Sequence, residues 1–536
     1  MRLKCKALLE ENPSTYADSL GLKYTSEVTV EHKKDLGQFF TPSKIAAFMA
    51  QFCTIKKHKI KILDPGCGVG ILSCALVEYL VEHNPEIMEI ELTAFEKDLE
   101  IISYAKLSLE YLREWLSLKH ISFNYFLCAN DFILHNSSIL EVEANTKDKF
   151  DIVISNPPYF KIKKNDPINL AVKSVIHGQQ NIYSIFVILS AKLLADNGQL
   201  IFISPRSFTS GSYFRLFRET FFSLIDMKSI HLFGSRKDAF QRDKVLQENV
   251  IVVCQRKENC DSNQLLFPFA KKPKLEISLS NGVEDIEERR VKSYELKNLV
   301  NLKSFQKILH LPISENDEKA IKLFKRWTNS LEKSDIAIST GPVVAYRASI
   351  HLEEKSNTGN IPLIWLNNVA KMRFTWPLVS IPKGKKKHQF IKYSGLTKPI
   401  LIENKNYIFL RRFSSKDDNS KLIACPYFSK FLPKYNLIGV ENHLNYIYRK
   451  NGTLSDEEIL GLSTLLNSKL FDVYFRTFNG NINVSATELK EMPLPDLKTI
   501  KAIGLKMADD KLHAQNFIDE IIAETFGIKL NELNND

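Results

Sequence analysis

The chain has 536 residues, and its 73 Lys and Arg against 62 Asp and Glu give a formal charge of +11 at pH 7. That length is expected to form two or three packed domains, and a composition of 44% hydrophobic and 25% charged residues excludes collagen-like and disordered chains. No apolar run reaches the ~18 residues of a bilayer span, and the N-terminus lacks the apolar core of a signal peptide. We therefore expect a cytoplasmic protein without a membrane segment, whose basic excess favours a polyanionic partner such as nucleic acid.

The eight cysteines lie between Cys5 and Cys425 and include no C-x-x-C pair. This spacing excludes a zinc site and a disulfide framework. We expect no metal, and most of these cysteines should be reduced residues of the core.

The first half of the chain alternates strand and helix patterns. A β-branched run at 60–64 is followed by the glycine-rich turn DPGCGVG and an apolar, helix-like segment. Helical patterns separate it from further predicted strands, which lie at 89–98, 122–132, 149–159 and 198–208, with two more before residue 256. This alternation predicts an α/β domain with a doubly wound, mostly parallel sheet.

The alternating pattern ends near residue 262, where we place a domain boundary between residues 1–262 and 263–536. Between Lys371 and Lys450, 17 Lys and Arg stand against four Asp and Glu, a net +13, with 13 aromatic residues interleaved. Cationic heads with aromatic side chains suit a surface that neutralises phosphates and packs on sugars and bases. A solvated basic face with its aromatics in the core is the alternative. We expect a mixed α+β domain that binds DNA, with contacts from Lys385, Lys386, Arg411 and Arg412.

The glycine-rich turn predicts a cofactor site. Gly66, Gly68 and Gly70 stand between a strand and a helix, where the backbone can approach a ligand and the helix N-terminus offers free N–H groups. The first residue after the strand is Asp64, and an acid suits an amino-bearing ligand better than a pyrophosphate. The turn therefore favours S-adenosylmethionine over a dinucleotide, the alternative being a plain tight turn.

Acidic residues follow the next two predicted strands. Glu96 can accept hydrogen bonds from ribose hydroxyls, and Asp131 can accept from an adenine amino group while Phe132 covers the ring face. Each acid could instead be a helix cap. Because both recur in register with the glycine-rich turn, the ligand interpretation is favoured.

The segment SNPPYF at 155–160 follows the apolar strand FDIVI. Two consecutive prolines remove two N–H donors, so the side-chain oxygen of Asn156 and the carbonyl of Pro157 can jointly accept from one NH₂ group. Tyr159 can stack on the ring that carries this group. The segment predicts a site for an aromatic amine acting as a nucleophile, whereas a plain turn is the alternative.

At these residues the chain resembles the gamma class of adenine-N6 DNA methyltransferases, the group typified by the TaqI modification enzyme, and within it the PstI and BsuBI branch. The resemblance covers nearly the whole chain and includes GQFFTP at 37–42, ahead of the glycine-rich turn. It implies that Phe39, Thr41 and Pro42 line the methionine end of the cofactor. It places Asp64 and Gly66 beside the amino acid moiety, Glu96 on the ribose and Asp131 on the adenine amino group.

The resemblance also implies the substrate. Asn156 and Pro157 would bind the amino group of an adenine flipped out of duplex DNA, and Tyr159 would stack on that base. A second aromatic residue would be Phe240, with Phe233 as the rival. We expect a monomer on DNA, with any cognate restriction endonuclease a separate polypeptide. The alternatives are methylation of RNA or of protein glutamine, and a catalytically silent DNA-recognition subunit.

Overall fold

The computed structural model describes residues 11–29, 31–32, 37–38, 40–140, 149–163, 165–172, 181–234, 248–258, 274–378, 388–413, 420–480, 483–508 and 514–530. The chain divides into two compact units between Leu309 and His310. Each unit has its own sheets and helices. The six cysteines within the described ranges are buried free thiols, as the sequence predicts.

A nine-stranded sheet forms the centre of the first unit. Its strands are β1 Lys59–Asp64, β2 Glu89–Phe95, β3 Ser122–Cys128, β4 Phe150–Ser155, β5 Leu194–Pro205, β6 Ile225–Phe233, β7 Asn249–Arg256, β8 Lys274–Ser280 and β9 Arg290–Glu295. Their order is β3-β2-β1-β4-β5-β7-β6-β8-β9. The first five strands pair in parallel, whereas β7 is antiparallel to both of its neighbours. The predicted mostly parallel sheet is confirmed.

Helices cover both faces of this sheet. Within the described ranges they are Pro13–Glu27, Ser43–Ala50, Ile71–His83, Leu99–Ser117, Phe132–Asn136, Pro167–Ala171, Ile182–Leu193, Arg215–Leu224 and Leu296–Leu299. Side chains of a strand alternate between faces. Ile201 and Ile203 belong to the core under the first four helices, whereas Phe202 between them contacts Phe221 of a helix on the opposite face. The doubly wound arrangement follows from these contacts.

The observed division lies later in the chain than the boundary expected at 262. Strand β8 pairs in parallel with β6, and β9 pairs with β8, so residues 274–295 extend the first sheet. Strand β9 is the edge of the sheet and is mostly exposed, and β8 beside it exposes Lys274 and Glu276. Their weak apolar pattern explains why the sequence alone does not assign them to the first domain.

The second unit is a mixed α+β structure. Its strands are β10 Ile336–Thr340, β11 Leu352–Glu353, β12 Asn360–Ile364, β13 Val369–Ala370, β14 Arg373–Phe374, β15 Phe390–Lys392, β16 Leu401–Glu403, β17 Tyr407–Arg411, β18 Ala424–Tyr427, β19 Leu437–Val440 and β20 Leu444–Arg449. They form a four-stranded sheet in the order β10-β20-β17-β18, a five-stranded sheet in the order β11-β15-β12-β19-β16, and the pair β13-β14.

The helices of the second unit lie mostly at its C-terminal end. Within the described ranges they are Glu315–Phe324, Asp456–Asn467, Lys469–Arg476, Ala486–Lys490, Leu497–Ala508 and Gln515–Phe526. Asn467 joins the helices to the sheet, because its amide both accepts from and donates to the backbone of Ala424. In neither unit does a described helix have the length and apolar character needed to cross a bilayer.

Candidate functional site

The glycine-rich turn lies where the sheet order reverses. Strand β1 stands between β2 and β4, and ligands of open α/β sheets bind outside the carboxyl ends of the strands at such a point. Gly68 and Gly70 have φ of +55° and +87°, values that side-chain-bearing residues rarely adopt. Gly70 caps helix Ile71–His83 without a side-chain hydrogen bond, so the first N–H groups of that helix are available to a ligand.

An open cleft lies over this turn. Seven of the residues predicted to form the site line it, namely Thr41, Gly66, Gly68, Glu96, Asp131, Phe132 and Asn156. They come from segments far apart in the sequence, which the carboxyl ends of β1 to β4 and the segment before Ser43–Ala50 bring together.

Asp64 lies behind the turn and is fully buried. Its Oδ2 accepts a hydrogen bond of 2.7 Å from Ser73 Oγ. Its Oδ1 is buried and has no hydrogen-bond partner within the described part of the chain. Burial raises the pKa of Asp64 to about 7, because the charged form loses its hydration. A cation bound in the cleft would favour the carboxylate.

Glu96 is fixed by the backbone. Its Oε2 accepts from Gly68 N at 3.0 Å, and its Oε1 accepts from Asp98 N at 2.9 Å. Burial raises the pKa of this carboxyl group. Each carboxylate oxygen has more than one acceptor site, so both remain able to accept from ligand hydroxyls.

Asp98 ties the N-terminal segment to this side of the cleft. Its Oδ2 accepts from Tyr24 Oη at 2.6 Å and from Gln38 Nε2 at 2.7 Å, and it lies 3.0 Å from His32 Nε2. Gln38 belongs to the GQFFTP segment and itself lines the cleft. The segment ahead of the first strand is therefore anchored beside Glu96.

Asp131 is a helix cap and also lines the cleft. Its Oδ1 accepts from the backbone N–H groups of Ile133 and Leu134. Its Oδ2 lies 4.0 Å from Lys97 Nζ. The capping and ligand interpretations are thus compatible, because they use different oxygens. Phe132 is buried and packs between Phe95 and Phe186.

Asn156 is held from both ends of its amide. Its Nδ2 donates to Thr41 Oγ1 at 2.9 Å, and its Oδ1 accepts from Tyr159 Oη at 2.6 Å. Tyr159 is 8% exposed, and its hydroxyl also lies 3.0 Å from the carbonyl of Ile203. Burial raises the pKa of this hydroxyl well above its usual value, so it remains a donor. Asn156 and Pro158 line the cleft, whereas Pro157 and Tyr159 are buried beside it.

Known proteins that are similar to this chain over most of its length belong to one family of enzymes. The family model of the Eco57I restriction-modification methylase matches residues 77–240. The type II methyltransferase M.BsuBI of Bacillus subtilis is 33% identical over 489 residues, which are 90% of this chain and 92% of that protein. The chain belongs to the type II methyltransferases. M.PstI of Providencia stuartii is 28% identical over 509 residues, 95% of this chain and 96% of that protein.

Among solved structures, the DrdV–DNA complex has a TM-score of 0.49 to this methyltransferase at 14% identity, covering 94% of this chain and 60% of that chain. The family match over most of the chain confirms the expected restriction-modification DNA methyltransferase, with S-adenosylmethionine as its methyl donor. Membership of this family favours DNA over the RNA and protein-glutamine alternatives. The cleft fits this cofactor, because it combines the N–H groups at the start of helix Ile71–His83 with the acceptor oxygens of Glu96 and Asp131.

Several predicted residues of the methyltransferase are not in the cleft lining. Pro42 precedes helix Ser43–Ala50 and Gly70 begins the helix after the turn, so both shape the backbone around it. Phe233 is buried in the core, with its ring 4.6 Å from that of His231. Phe39 and Phe240 lie outside the described residues.

Sequence reasoning missed other residues that line the cleft, including Gln38, Lys97 and Phe186. The first two adjoin predicted residues, so neighbourhood in the sequence could have indicated them. Phe186 comes from helix Ile182–Leu193, and only the fold brings it beside Phe132.

Two of the predicted DNA contacts are held by the backbone of the second unit. Arg411 Nε donates to the carbonyl of Val369 at 2.7 Å, and Arg412 Nη1 donates to that of Asn442 at 3.2 Å. Both side chains are half-buried. Lys385 and Lys386 lie outside the described residues.

Proposed function

We propose that this methyltransferase acts on the N6 amino group of an adenine that has been flipped out of duplex DNA. The observation that carries the proposal is the fixed amide of Asn156, whose Oδ1 is directed away from Thr41 at the edge of the cofactor cleft. An amino group on a planar ring is the donor that such an acceptor would bind. A base within the duplex cannot present this group to a cleft, so it must leave the stack.

Cofactor binding is assigned to the residues around the glycine-rich turn. Asp64 and the N–H groups after Gly70 would hold the amino acid moiety, and Glu96 would accept from the ribose hydroxyls. Asp131 Oδ2 would accept from the adenine amino group, with Phe132 and Phe186 on the apolar side. Thr41 and Pro42, with Phe39, would line the methionine end.

Catalysis would rest on positioning. S-adenosylmethionine supplies a methyl group that its sulfonium charge has already activated. Asn156 Oδ1 and the Pro157 carbonyl would each accept one hydrogen of the target NH₂, which aims the nitrogen lone pair at that methyl. As the N–C bond forms, the C–S electron pair stays on sulfur, and the nitrogen then loses a proton to solvent. Holding two reactants in this geometry can supply roughly 7–11 kcal/mol.

Tyr159 is proposed to stack on the flipped base, with Phe240 as a second ring. Base–aromatic stacking contributes about 1–3 kcal/mol per base. Because the Tyr159 ring is buried beside Tyr183, the base would have to displace it towards the cleft. The hydroxyl would then leave Asn156 Oδ1, whose acceptor sites become free for the target.

The second unit is proposed to recognise DNA. Its cationic side chains, Lys385, Lys386, Arg411 and Arg412 among them, would neutralise phosphates and so make affinity dependent on salt. We expect one copy of the chain to act on the duplex, with any cognate endonuclease encoded as a separate polypeptide.

A variant series at Asn156 and Tyr159 tests these roles. Asn156→Ala is expected to lower methyl transfer by about 100-fold or more, because the nitrogen is no longer aimed. Tyr159→Ala is expected to lower it roughly 10- to 100-fold, through lost stacking. The matched control is Tyr159→Phe, which keeps the ring and should stay within about threefold of the parent.

Single-turnover rates with labelled cofactor measure these effects, and gel-shift titrations measure DNA binding. Binding of the specific duplex should change little in all three variants. Equal loss of binding and transfer would contradict the assignment for Asn156. If Tyr159→Phe and Tyr159→Ala lower the rate of methyl transfer equally, the role of Tyr159 is to hold the amide of Asn156 instead of stacking on the base.

A further inference from the structure

One end of the four-stranded sheet in the second unit gathers three connecting segments. Strands β10 and β17 both pair antiparallel with β20, and they end at Thr340 and Arg411 beside the first residue of β20, Leu444. The segments 341–351, 412–413 and 441–443 therefore leave the sheet at the same end. We call this surface the loop end.

Backbone hydrogen bonds join the three segments of the loop end. Asn442 N donates to the carbonyl of Val343 at 3.0 Å, and Arg412 N donates to that of His443 at 2.9 Å. The side chain of Arg412 adds its bond to the carbonyl of Asn442. The three segments thus form one continuous surface.

Aromatic and cationic side chains project from this surface. Tyr346 is 73% exposed, and Arg347 beside it donates from Nε to the Tyr346 hydroxyl at 2.9 Å. The guanidinium of Arg412 lies 5.6 Å from the ring centre of Phe413, which packs 5.0 Å from the ring of His443. Each exposed ring therefore has a cation next to it.

The segment that carries Tyr346 and Arg347 stands on a packed base. Val343, Ala345 and Ala348 are buried in one apolar cluster with Trp365. A Cβ atom on Gly341 would lie 2.3 Å from the carbonyl oxygen of Glu441, so the backbone at Gly341 passes in close contact with the backbone at Glu441. The two exposed side chains therefore project from a fixed backbone, which lowers the entropy lost on binding.

The charge of the loop end is suited to an anionic partner. Arg347 and Arg412 are its permanent cations. The acidic residue of the loop end is Glu441, which is 1% exposed and paired with the ring of His443. The carboxylate is thus turned inward, whereas the guanidinium of Arg347 faces solvent.

We propose that the loop end reads the bases of the DNA target, with Arg347 contacting a base edge in the major groove and Tyr346 packing beside it. A guanidinium can bind guanine with two hydrogen bonds, and an aromatic ring packs on bases or on the thymine methyl group. Phosphate contacts alone would not require exposed rings. Arg347 lies outside 371–450, where charge counting places the DNA contacts, and the inference rests on the chain acting on DNA.

Specificity measurements on the full-length protein test this assignment. The methylated site is first mapped by long-read sequencing of DNA from an expressing host. Methyl transfer is then measured on that duplex and on duplexes with each single base-pair change, for the parent, Tyr346→Ala and Arg347→Ala. The matched control is Lys333→Ala, which removes one exposed cation at the opposite end of the same sheet.

Arg347→Ala should reduce discrimination at one or two adjacent positions by about 10- to 100-fold, as expected for the loss of a two-bond base contact. Tyr346→Ala should relax the same or a neighbouring position, and Lys333→Ala should leave the profile unchanged. Affinity for S-adenosylmethionine should match the parent in all three, and matching circular dichroism spectra and urea transitions verify the folding of the second unit.

Discrimination within twofold of the parent at every position, in both loop-end variants, overturns the proposal. A variant too slow to assay is measured by competition binding, where lost preference for the cognate duplex supports the proposal and retained preference overturns it. Methyl transfer is measured with labelled cofactor, so the assay reports methylation at any atom of any base. A product other than N6-methyladenine would therefore contradict the proposed reaction while leaving this test of specificity intact.

Discussion

The amide of Asn156 has a defined orientation because Thr41 Oγ1 accepts from its NH₂ end. We predict that Thr41→Val, which keeps the shape and removes the acceptor, lowers the rate of methyl transfer about 10-fold, the effect of leaving one partly buried donor without this partner. Thr41→Ser keeps the oxygen and should retain most of the rate. Single-turnover kinetics together with equilibrium cofactor binding check this. If Ser and Val at position 41 are equally slow, the hydroxyl does not orient the amide.

Asp64 is expected to make cofactor binding depend on pH. Its pKa is raised to about 7 by burial, so near neutral pH a substantial fraction of the free protein holds it protonated. A bound cation favours the carboxylate, so binding lowers this pKa and releases a proton. Affinity for S-adenosylmethionine should therefore increase as pH rises from about 6 to 8 and level off above that range.

Isothermal titration calorimetry in buffers of different ionisation enthalpy counts the released proton. Asp64→Asn cannot ionise, so it should bind more weakly at pH 8 and lose this part of the pH dependence. A variant with the same pH profile and proton release as the parent would show that another group titrates.

The sequence could predict which residue types surround the cleft, but their partners come from the fold. The link between Thr41 and Asn156 joins residues 115 positions apart. The Asp98 contacts with Tyr24 and Gln38 likewise join residues 74 and 60 positions apart. The burial of Tyr159 also has no local signal, because it depends on how helix Ile182–Leu193 packs over the NPPY segment.

At the scale of elements, the strand, turn and helix around Gly66 to Gly70 could be predicted because their signals are local. The strands β8 and β9 could not, since the edge strand β9 needs fewer apolar side chains than a central one, and β8 beside it carries exposed polar residues. The second unit shows no comparable periodicity, and its strands of two to six residues are shorter than most patterns can specify.

The two helices Asp456–Asn467 and Leu497–Ala508 cross at glycines. A Cβ atom on Gly504 would lie 2.0 Å from the carbonyl oxygen of Glu457, and one on Gly461 would lie 1.9 Å from that of Ile500. Gly504→Ala should therefore force the helices apart and lower the free energy of unfolding by about 1–3 kcal/mol.

Urea unfolding followed by circular dichroism measures this change. Leu505→Ala, at the exposed neighbouring position, is the matched control and should have a much smaller effect. A Gly504→Ala protein as stable as the control would show that the helices are not in contact there.

At the scale of the whole molecule, the charge is unevenly distributed between its parts. Residues 371–450 carry a net charge of +13, whereas the whole chain carries +11. The remaining residues are therefore slightly acidic when taken together. This agrees with the proposal that the second unit binds DNA. The charge count could indicate the basic segment but not the loop end, where we propose that Tyr346 and Arg347 read bases, since both residues lie outside that segment.

Identification of the methylated product tests the proposed transfer to adenine N6 most directly. Duplex DNA containing the mapped site is incubated with the protein and S-adenosylmethionine labelled on its methyl group, digested to nucleosides and separated by liquid chromatography with mass detection. We predict that the label appears in N6-methyldeoxyadenosine, and that Asn156→Ala forms little of it. Label in N4-methyldeoxycytidine or 5-methyldeoxycytidine would contradict the proposed reaction.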